Sequence, residues 1–282
     1  MKHVLPLAIL VSIFQSCSQA PGNANATTLN ETRDPVPSEV KPAAVTKAST
    51  AEILAKKQVP VLCYHHIRAL RAGESQRLTE YIVPESNFRD QMQSLADSGY
   101  QTITPDEYEA YLTTGAPLPA KPVMLTYDDT DAEQYTVALP EMEKHKFKGV
   151  YFIMTISIGR PRYMSKEQIK DLADKGHVIA SHTWDHHNVK KYAGDDWDIQ
   201  FKKTKEKLET ITGKPVEHFA YPFGLWNSAA IPELQKRGYK TAYQLSDNHR
   251  DSLAPLYALR RMIVPGSWSV KTMHRAMKGT FK

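Results

Sequence analysis

The chain has 282 residues, 41% of them hydrophobic, and a formal net charge of +5. This length and hydrophobic content fit one large domain with a sizeable core, or two small ones. The basic excess is small and mixed with acidic residues, and no basic stripe with stacking aromatics is present, so nucleic-acid binding is disfavoured.

The first 17 residues predict a targeting segment that is not part of the fold. A basic start precedes an apolar stretch at residues 4–14, which is too short to span a bilayer. The end of the segment, FQSC, resembles a bacterial lipoprotein signal in which Cys17 is lipidated; ordinary cleavage near Ala20 is the alternative. Acyl chains on Cys17 would hold the protein stably at a membrane surface. We therefore expect a lipid-anchored protein of the cell envelope, facing the periplasm or the outer membrane.

Residues 18–56 are predicted to form a flexible tether. Up to about residue 50 they are rich in Ala, Thr, Pro and Asn and have almost no large apolar side chains, so they cannot build a core. Residues 57–282 then form the folded domain. Cys63 is the only cysteine in that domain, which excludes an internal disulfide.

From residue 59 onward, short strand-like runs alternate with helical patterns. The predicted strands lie in residues 59–66, 100–105, 121–127, 149–155, 177–183, 218–223, 239–245 and 259–264. The helical patterns lie in residues 86–99, 132–145, 165–176 and 227–238. Pro140 is expected to kink or restart the second helix.

Strand–helix units repeated seven or eight times over about 220 residues predict an α/β fold, with a parallel sheet closed into a (β/α) barrel. An open doubly wound sheet is the alternative. No glycine-rich turn follows the first strand, so dinucleotide binding is disfavoured.

Polar residues recur where the predicted strands end. YHH (residues 64–66) ends the first strand, Asp128 and Asp129 end the third, SHTWDHH (residues 181–187) ends the fifth and YPFG (residues 221–224) ends the sixth. Active sites of (β/α) barrels form at the carboxyl ends of the strands. We therefore expect these residues to meet at one rim.

His182 and His186 are four residues apart, so on one helical turn they would face the same way. Two imidazoles and one carboxylate of the aspartate pair would make a three-ligand site with open positions, suited to zinc or another first-row divalent ion. The ion would hold one charge of the pair and leave the other carboxylate free as a base. Each pattern alone is weak, and their joint occurrence at strand ends carries the prediction.

These residues resemble the motifs of a known family. TYDD, HTWDH, FAYPFG and LRRMIV are similar to motifs of the polysaccharide deacetylases, carbohydrate esterase family four, over about residues 59–270. The start VPVLCYHHI resembles the first strand of the poly-β-1,6-N-acetylglucosamine deacetylase branch. The resemblance implies a distorted, TIM-like (β/α) barrel of seven to eight parallel strands, and it assigns residues 57–282 as the catalytic domain.

The resemblance also implies residue roles. Asp128 would be the general base, and Asp129 would bind a divalent metal ion together with His182 and His186. Zinc is the first expectation for that ion, with cobalt or nickel as alternatives. The backbone N–H near Phe223 would help to bind the oxyanion, and Tyr221 of the same motif would lie beside the substrate.

The acid that protonates the leaving amine is less clearly marked. Many members of the family carry it in a late Leu-x-His segment, which LRRMIV lacks. The resemblance to the first strand favours His65. The other candidates are His66, His249 and His274, and we expect His66 to point to the opposite face, because side chains alternate along a strand.

Two further departures from the family concern the base and the turn after the aspartates. Tyr221 stands where many members have an arginine that holds the base, and we expect Arg261 to tether Asp128 instead. Thr130 stands in place of the usual glycine, which predicts a changed floor of the pocket.

The expected activity is metal-dependent removal of N-acetyl groups from an amino-sugar polymer, with poly-N-acetylglucosamine ahead of peptidoglycan. The expected partners are an acetylated glycan and a membrane reached through the lipid anchor, and the protein is expected to be a monomer. The alternatives are an O-acetyl esterase acting on xylan-like polysaccharide and a catalytically weak glycan-binding lipoprotein. A metalloprotease is disfavoured because no His-Glu-x-x-His motif is present.

Overall fold

The computed structural model describes residues 47–245 and 251–281, which lie in one compact unit, Val45–Lys282. The predicted targeting segment with Cys17, most of the predicted tether, and His249 fall outside the described residues. A short helix at Thr50–Ala55 occupies the end of the segment predicted as a tether, and its Ile53 is buried in the core. None of the helices in the described part of the chain is long and apolar enough to cross a membrane.

The strands are β1 Val61–Tyr64, β2 His66–Ile67, β3 Ile82–Val83, β4 Gln101–Thr102, β5 Pro122–Asp128, β6 Gly149–Ile153, β7 Val178–Ser181, β8 His218–Ala220, β9 Thr241–Gln244, β10 Leu259–Arg260 and β11 Met262–Ile263. The helices are α1 Thr50–Ala55, α2 Glu85–Asp97, α3 Pro105–Thr114, α4 Leu139–Lys144, α5 Lys166–Asp174, α6 Lys203–Thr212, α7 Ala230–Lys236 and α8 Val270–Thr280.

Eight parallel strands form a nearly closed barrel in the order β10-β9-β8-β7-β6-β5-β1-β11. The short strand β4 pairs with the beginning of β5, and β2 pairs with β3 outside the barrel. The predicted distorted (β/α) barrel is therefore confirmed. Two details differ: the strand predicted at residues 100–105 is the short β4, which lies outside the ring of eight, and the last predicted strand, residues 259–264, is divided at Arg261. Its first half pairs with β9 and its second half with β1, because this single run joins the two edges of the sheet.

Local sequence signals define several helix ends. Thr104 and Ser165 cap α3 and α5, and Glu107 and Gln168 reach back to complete a capping box in each case. Helix α6 ends at Gly213, whose φ of 68° suits glycine. The helix predicted at residues 132–145 is divided as expected around its proline: a π turn, Gln134–Ala138, precedes α4, whose first turn contains Pro140.

Alternation along the strands separates two apolar layers. Side chains such as Leu62, Leu125 and Tyr127 pack outward against the helices. Val61 and Met124 point the other way, into a cluster that fills the barrel interior. Because the side-chain period of a strand is two, this alternation also sets which residues at the carboxyl ends face the inside of the barrel.

Candidate active site

The carboxyl ends of the strands surround a cavity of about 670 Å³. It is lined by seven residues singled out in the sequence, namely His65, His66, Asp128, Asp129, His182, His186 and Phe223. Alternation explains three of these positions. His65 follows Val61 and Cys63, Asp128 follows Met124 and Thr126, and His182 follows Ala180, all on inward-facing registers.

Asp128 is fully buried and paired with Arg261. Arg261 Nη1 donates to Asp128 Oδ1 at 2.6 Å, and Nη2 donates to Oδ2 at 2.7 Å. Burial alone would raise the pKa of Asp128, but the charge of Arg261 outweighs it and holds this pKa below its ordinary value. Arg261 thus lies where the sequence placed the tether, and its charge favours the ionised form of Asp128.

Arg261 is itself held in place from two sides. Its Nη1 also donates to Thr126 Oγ1 at 3.2 Å, and its guanidinium lies 4.9 Å from the ring centroid of Phe152. Charge-assisted bidentate pairs combine strength with a fixed geometry. The base candidate is therefore oriented by Arg261, which Thr126 of β5 and Phe152 of β6 hold in place, with no contribution from the position that Tyr221 occupies.

Asp129, His182 and His186 come together as a group of three possible metal ligands. Asp129 Oδ1 lies 3.4 Å from Nε2 of each histidine. Bonds of about 2.1 Å in a tetrahedral arrangement put neighbouring ligand atoms about 3.4 Å apart, which matches both distances from Asp129 Oδ1. The three ligand atoms all lie within 4.8 Å of one another, as a shared divalent cation needs. Asp129 Oδ1 is also buried and accepts no hydrogen bond from the described residues, as expected of an oxygen reserved for a cation.

Both histidines direct Nε2 at Asp129 Oδ1. His182 Nδ1 donates to the carbonyl of Ala220 at 2.8 Å, because a carbonyl can only accept, and this leaves Nε2 directed at Asp129. The charges of Asp128 and Asp129 overcome burial and raise the pKa of His182. Burial and the charge of His182 lower the pKa of His186 to about 4, which favours the neutral ring that a metal ion binds.

The expectation that His182 and His186 share a helical turn is wrong. The segment after β7 is irregular, and both Thr183 and His186 have positive φ, 68° and 63°. A right-handed helix cannot pass through such residues. Thr183 Oγ1 accepts a hydrogen bond from the His186 backbone N–H at 3.0 Å, and this tight loop brings the two rings to 4.9 Å between centroids.

The turn after β5 holds Asp129 in a similarly unusual backbone. Asp129 and Thr130 both have positive φ, 76° and 74°. Thr130 Oγ1 accepts from the Met154 N–H at 2.8 Å, and the Thr130 carbonyl accepts from the Met164 N–H at 2.9 Å. The threonine that replaces glycine therefore adds one bond, from Met154 N–H to its Oγ1, that a glycine at this position could not make.

His65 lies beside the base candidate. Ligand atoms of Cys63, His65 and Asp128 are all within 4.8 Å of one another, and the His65 ring meets Tyr81 edge to face at 5.1 Å. Burial lowers the pKa of His65, so its neutral form is favoured until a proton is delivered. The structure thus brings together the pair of residues expected to act as acid and base.

The other histidine candidates lie elsewhere or behave differently. His274 contacts Ser94 at 2.7 Å, away from the cavity, and His249 falls outside the described residues. The expectation that His66 faces away from the site is wrong, because β1 ends at Tyr64 and alternation does not continue into β2. His66 also lines the cavity.

Around His66 is a charged group that the sequence reading missed, which we call the His66 group: His66, Asp131, Glu133 and Arg68. His66 Nδ1 is 3.1 Å from Asp131 Oδ2 and 3.3 Å from Glu133 Oε1, and Arg68 Nε is 3.6 Å from Glu133 Oε1. Burial lowers the pKa of His66, but the two carboxylates outweigh it and raise this pKa to about 9. The acidic run DDTDAE was the available signal, since Asp131 and Glu133 follow the aspartate pair directly.

The third-motif segment is divided between core and cavity. Phe223 lines the cavity, is 57% exposed, and contacts the His186 ring with centroids 4.4 Å apart. Tyr221, expected beside substrate, is instead fully buried: it stacks on Trp226, and its O–H donates to the Tyr257 carbonyl at 2.9 Å. The correction follows from alternation, because Tyr221 has the register of Phe219, which packs outward.

Comparison with known proteins gives consistent relatives. Residues 115–242 match the family model described as polysaccharide deacetylase. The chain is 30% identical over 210 residues to YxkH of Bacillus subtilis, a protein named as a polysaccharide deacetylase, covering 74% of this chain and 72% of that protein. It is 26% identical over 225 residues to the poly-β-1,6-N-acetyl-D-glucosamine N-deacetylase of Staphylococcus aureus, covering 72% and 77%.

The fold has matches among solved structures. The deacetylase PplD of Streptococcus pyogenes, solved in complex with acetate, superposes with a TM-score of 0.71 at 24% identity. The match covers 78% of this chain and 98% of that one.

Proposed function

Because the chain belongs to the polysaccharide deacetylase family, we propose that it is a metal-dependent hydrolase that removes N-acetyl groups from an amino-sugar polymer. One observation carries the proposal. Of two adjacent carboxylates, Asp129 faces two imidazole nitrogens at 3.4 Å, whereas Asp128 is bound by an arginine. The chain therefore offers one carboxylate to a cation and keeps its neighbour for proton transfer.

Asp129, His182 and His186 would hold the divalent ion. What such an ion supplies is Lewis acidity, which polarises a carbonyl and lowers the pKa of nearby water. Zinc suits two imidazoles and one carboxylate with an open position, and cobalt or nickel would suit them as well.

Asp128 would act as the general base. It accepts a proton from the attacking water, whose oxygen forms a bond to the acetyl carbonyl carbon. Arg261 positions the carboxylate and keeps it ionised for that step. The backbone N–H of Phe223 would stabilise the negative charge that develops on the carbonyl oxygen.

His65 would act as the general acid. When the carbon–nitrogen bond breaks, its electron pair passes to nitrogen, and His65 hands on to that nitrogen the proton that Asp128 accepted from the attacking water. The products are acetate and a free amino sugar. Ligand atoms of His65 and Asp128 lie within 4.8 Å of each other. This closeness supports roles in which Asp128 serves the attacking water and His65 serves the nitrogen of the same amide.

A relative supports the choice of substrate class. The Staphylococcus aureus relative is named for poly-β-1,6-N-acetylglucosamine, and we propose that polymer as the first substrate, with peptidoglycan glycan as the second. We place the enzyme in the bacterial cell envelope, anchored through a lipid on Cys17. That anchor would keep the domain next to the glycans it modifies.

The test is acetate release from a panel of substrates by purified enzyme. The panel contains β-1,6- and β-1,4-linked N-acetylglucosamine oligomers, peptidoglycan and acetylated xylan, each with chelator and with divalent ions restored. We expect release from an N-acetylated substrate that stops with chelator and returns with metal. Release from xylan alone would make the protein an O-acetyl esterase, and binding without release would make it a glycan-binding protein.

Anchoring is tested separately by labelling cells with a palmitate analogue. Label on the wild type and none on Cys17→Ser is expected. Label that persists in Cys17→Ser would overturn the lipid anchor and leave the enzymatic proposal untouched.

A further inference from the structure

We propose that Gln134 is a positioning residue that fixes the acid and the base of this site relative to each other. The proposal rests on the function proposed above, because it takes His65 as the acid and Asp128 as the base. The Gln134 side chain does not bond to the imidazole of His65 or the carboxylate of Asp128. It bonds to the backbone carbonyls of these two residues.

The starting observation is where the β1–β5 pairing ends. The two strands run in parallel register up to Tyr64 opposite Tyr127. His65 and Asp128 are the next residues, and after them the two chains diverge. The His66 N–H bonds to the Tyr81 carbonyl, and Asp129 turns away with a φ of 76°. The β1–β5 pairing therefore does not continue past His65 and Asp128 to hold these two residues in position.

Gln134 supplies the missing connection. Its Nε2 donates to the carbonyl of His65 at 3.0 Å and also to the carbonyl of Asp128. An amide nitrogen has two hydrogens, so one side chain bonds both strand ends at once. Gln134 is completely buried, and water cannot take over either bond.

The way the amide is used supports a positioning role. Gln134 Oε1 is buried and has no hydrogen-bond partner among the described residues. An unpaired buried acceptor lowers stability, so the amide is placed for its two N–H groups and not for its oxygen. Gln134 also begins the π turn that precedes α4. Such turns are rare in proteins overall, and those that occur often lie at functional sites.

The consequence for catalysis is geometric. Water attacks the amide carbon from the side of Asp128, and the nitrogen is protonated from the side of His65. Both groups must match one substrate amide, and a displacement of about 1 Å can cost about 100-fold in rate. Loss of the bridge should therefore impair the step that needs both groups more than a step that needs only one.

The experiment compares two leaving groups. An amide requires protonation of its nitrogen, whereas the aryl oxide of p-nitrophenyl acetate leaves without a proton. For Gln134→Met we expect turnover of an N-acetylglucosamine oligomer to fall about 100-fold and turnover of the aryl ester to fall less than about 10-fold. The ratio of the two rates should thus fall at least about tenfold, with bound metal and KM nearly unchanged.

The ratio separates positioning from stability, because a smaller folded fraction lowers both rates equally. Gln91→Met is the matched control. Gln91 is also buried, bonds Tyr64 through Oε1 and leaves its Nε2 unpaired, but it lies in α2 behind the strands. We expect Gln91→Met to reduce stability and to leave the ratio unchanged.

A second variant covers the case in which Gln134→Met does not fold. Gln134→Asn keeps a buried amide but is one methylene too short to reach both carbonyls, and the same fall in the ratio is expected. An unchanged ratio in the folded variants would overturn the positioning role. A wild-type enzyme that releases no acetate from any oligomer would instead overturn the proposed function itself.

Discussion

Two groups of histidine and carboxylate side chains share one cavity, and they differ in where their positive charge comes from. The first group, Asp129, His182 and His186, has one carboxylate and two imidazoles. The His66 group has two carboxylates and one imidazole, with Arg68 beside them. Both bring ligand atoms within reach of a metal ion, so residue types and spacing alone do not separate them.

Protonation separates the two groups. The pKa of His66 is raised to about 9 by Asp131 and Glu133, so this ring carries a proton at neutral pH. The pKa of His186 is lowered to about 4 by burial and by the charge of His182. Asp131 Oδ2 and Asp129 Oδ1 are both buried without a hydrogen bond, but Asp131 Oδ2 lies 3.1 Å from a protonated ring. In the first group the pKa of His182 is also raised, because the charges of Asp128 and Asp129 overcome burial. What distinguishes the two groups is the lowered pKa of His186 in the first and the Arg68 guanidinium beside Glu133 in the His66 group.

The largest effect on turnover is expected from a change at Asp128, the carboxylate that is not among the three proposed metal ligands. Asp128→Asn removes the base, and turnover should fall on the order of 10³- to 10⁴-fold, because general-base catalysis contributes up to that amount. Bound metal should stay near the wild-type level, since Asp129 and the two histidines are intact. Acetate release and elemental analysis of the same sample measure both. Full activity in this variant would reject the base assignment.

The next effect concerns the arginine that neutralises Asp128. Arg261→Met leaves a carboxylate buried without its partner, which should lower the free energy of unfolding by about 3–5 kcal/mol. Denaturant titration at neutral pH measures the loss. Arg260→Met, one residue away and outside this pair, is the control and should cost much less. Equal losses in the two variants would show that the Asp128–Arg261 pair adds little to stability.

His65→Ala tests the acid. Turnover of an N-acetylated oligomer should fall about 100-fold, with metal content unchanged, because proton donation to the amine is lost. His274→Ala is the control, since His274 contacts Ser94 away from the cavity. If His249→Ala produces the loss and His65→Ala does not, the acid has been misassigned.

The smallest expected effect distinguishes the His66 group by its pH dependence. The folded-state pKa of His66 is raised to about 9 from 6.5, so its contribution to stability is complete below pH 6.5 and is lost as pH rises towards 9. After allowance for solvent screening at a partly exposed ring, that contribution is roughly 1–2 kcal/mol. The groups facing the ring are Asp131, Glu133 and, beyond them, Arg68.

The measurement compares the wild type with His66→Gln in denaturant titrations at pH 6 and pH 9. The difference in unfolding free energy between the two proteins should be larger at pH 6. A difference that does not change with pH would mean that His66 is not protonated in the folded state, and the contrast between the two groups would fail.

The sequence predicted the barrel because strand and helix patterns alternate regularly over the whole domain. It also placed Asp128, Asp129 and His182 at one rim, because they lie at the carboxyl ends of parallel strands, which meet on one side of a barrel. The Arg261 tether was predicted for a different reason, namely that Tyr221 stands where many members of the family have the arginine that holds the base.

What could not be predicted lies where regular structure ends. The loop that joins His182 to His186 depends on a positive φ at Thr183, and the pattern of the preceding strand does not predict that φ. The placement of His66 depends on where β1 stops, and the division of the last strand depends on which edge each half joins. Gln134 bonds to the backbone of His65 and Asp128, which lie 69 and 6 residues before it in the sequence. Bonds from a side chain to the backbone produce no periodic pattern in the sequence.

The most direct test of the account is the metal content of the purified protein, measured by elemental analysis after dialysis against each divalent ion. The account predicts one equivalent in the wild type, its loss in His186→Ala, and its retention in Glu133→Gln, the matched change in the His66 group. No metal in the wild type, or loss of the ion from Glu133→Gln with retention in His186→Ala, would contradict it.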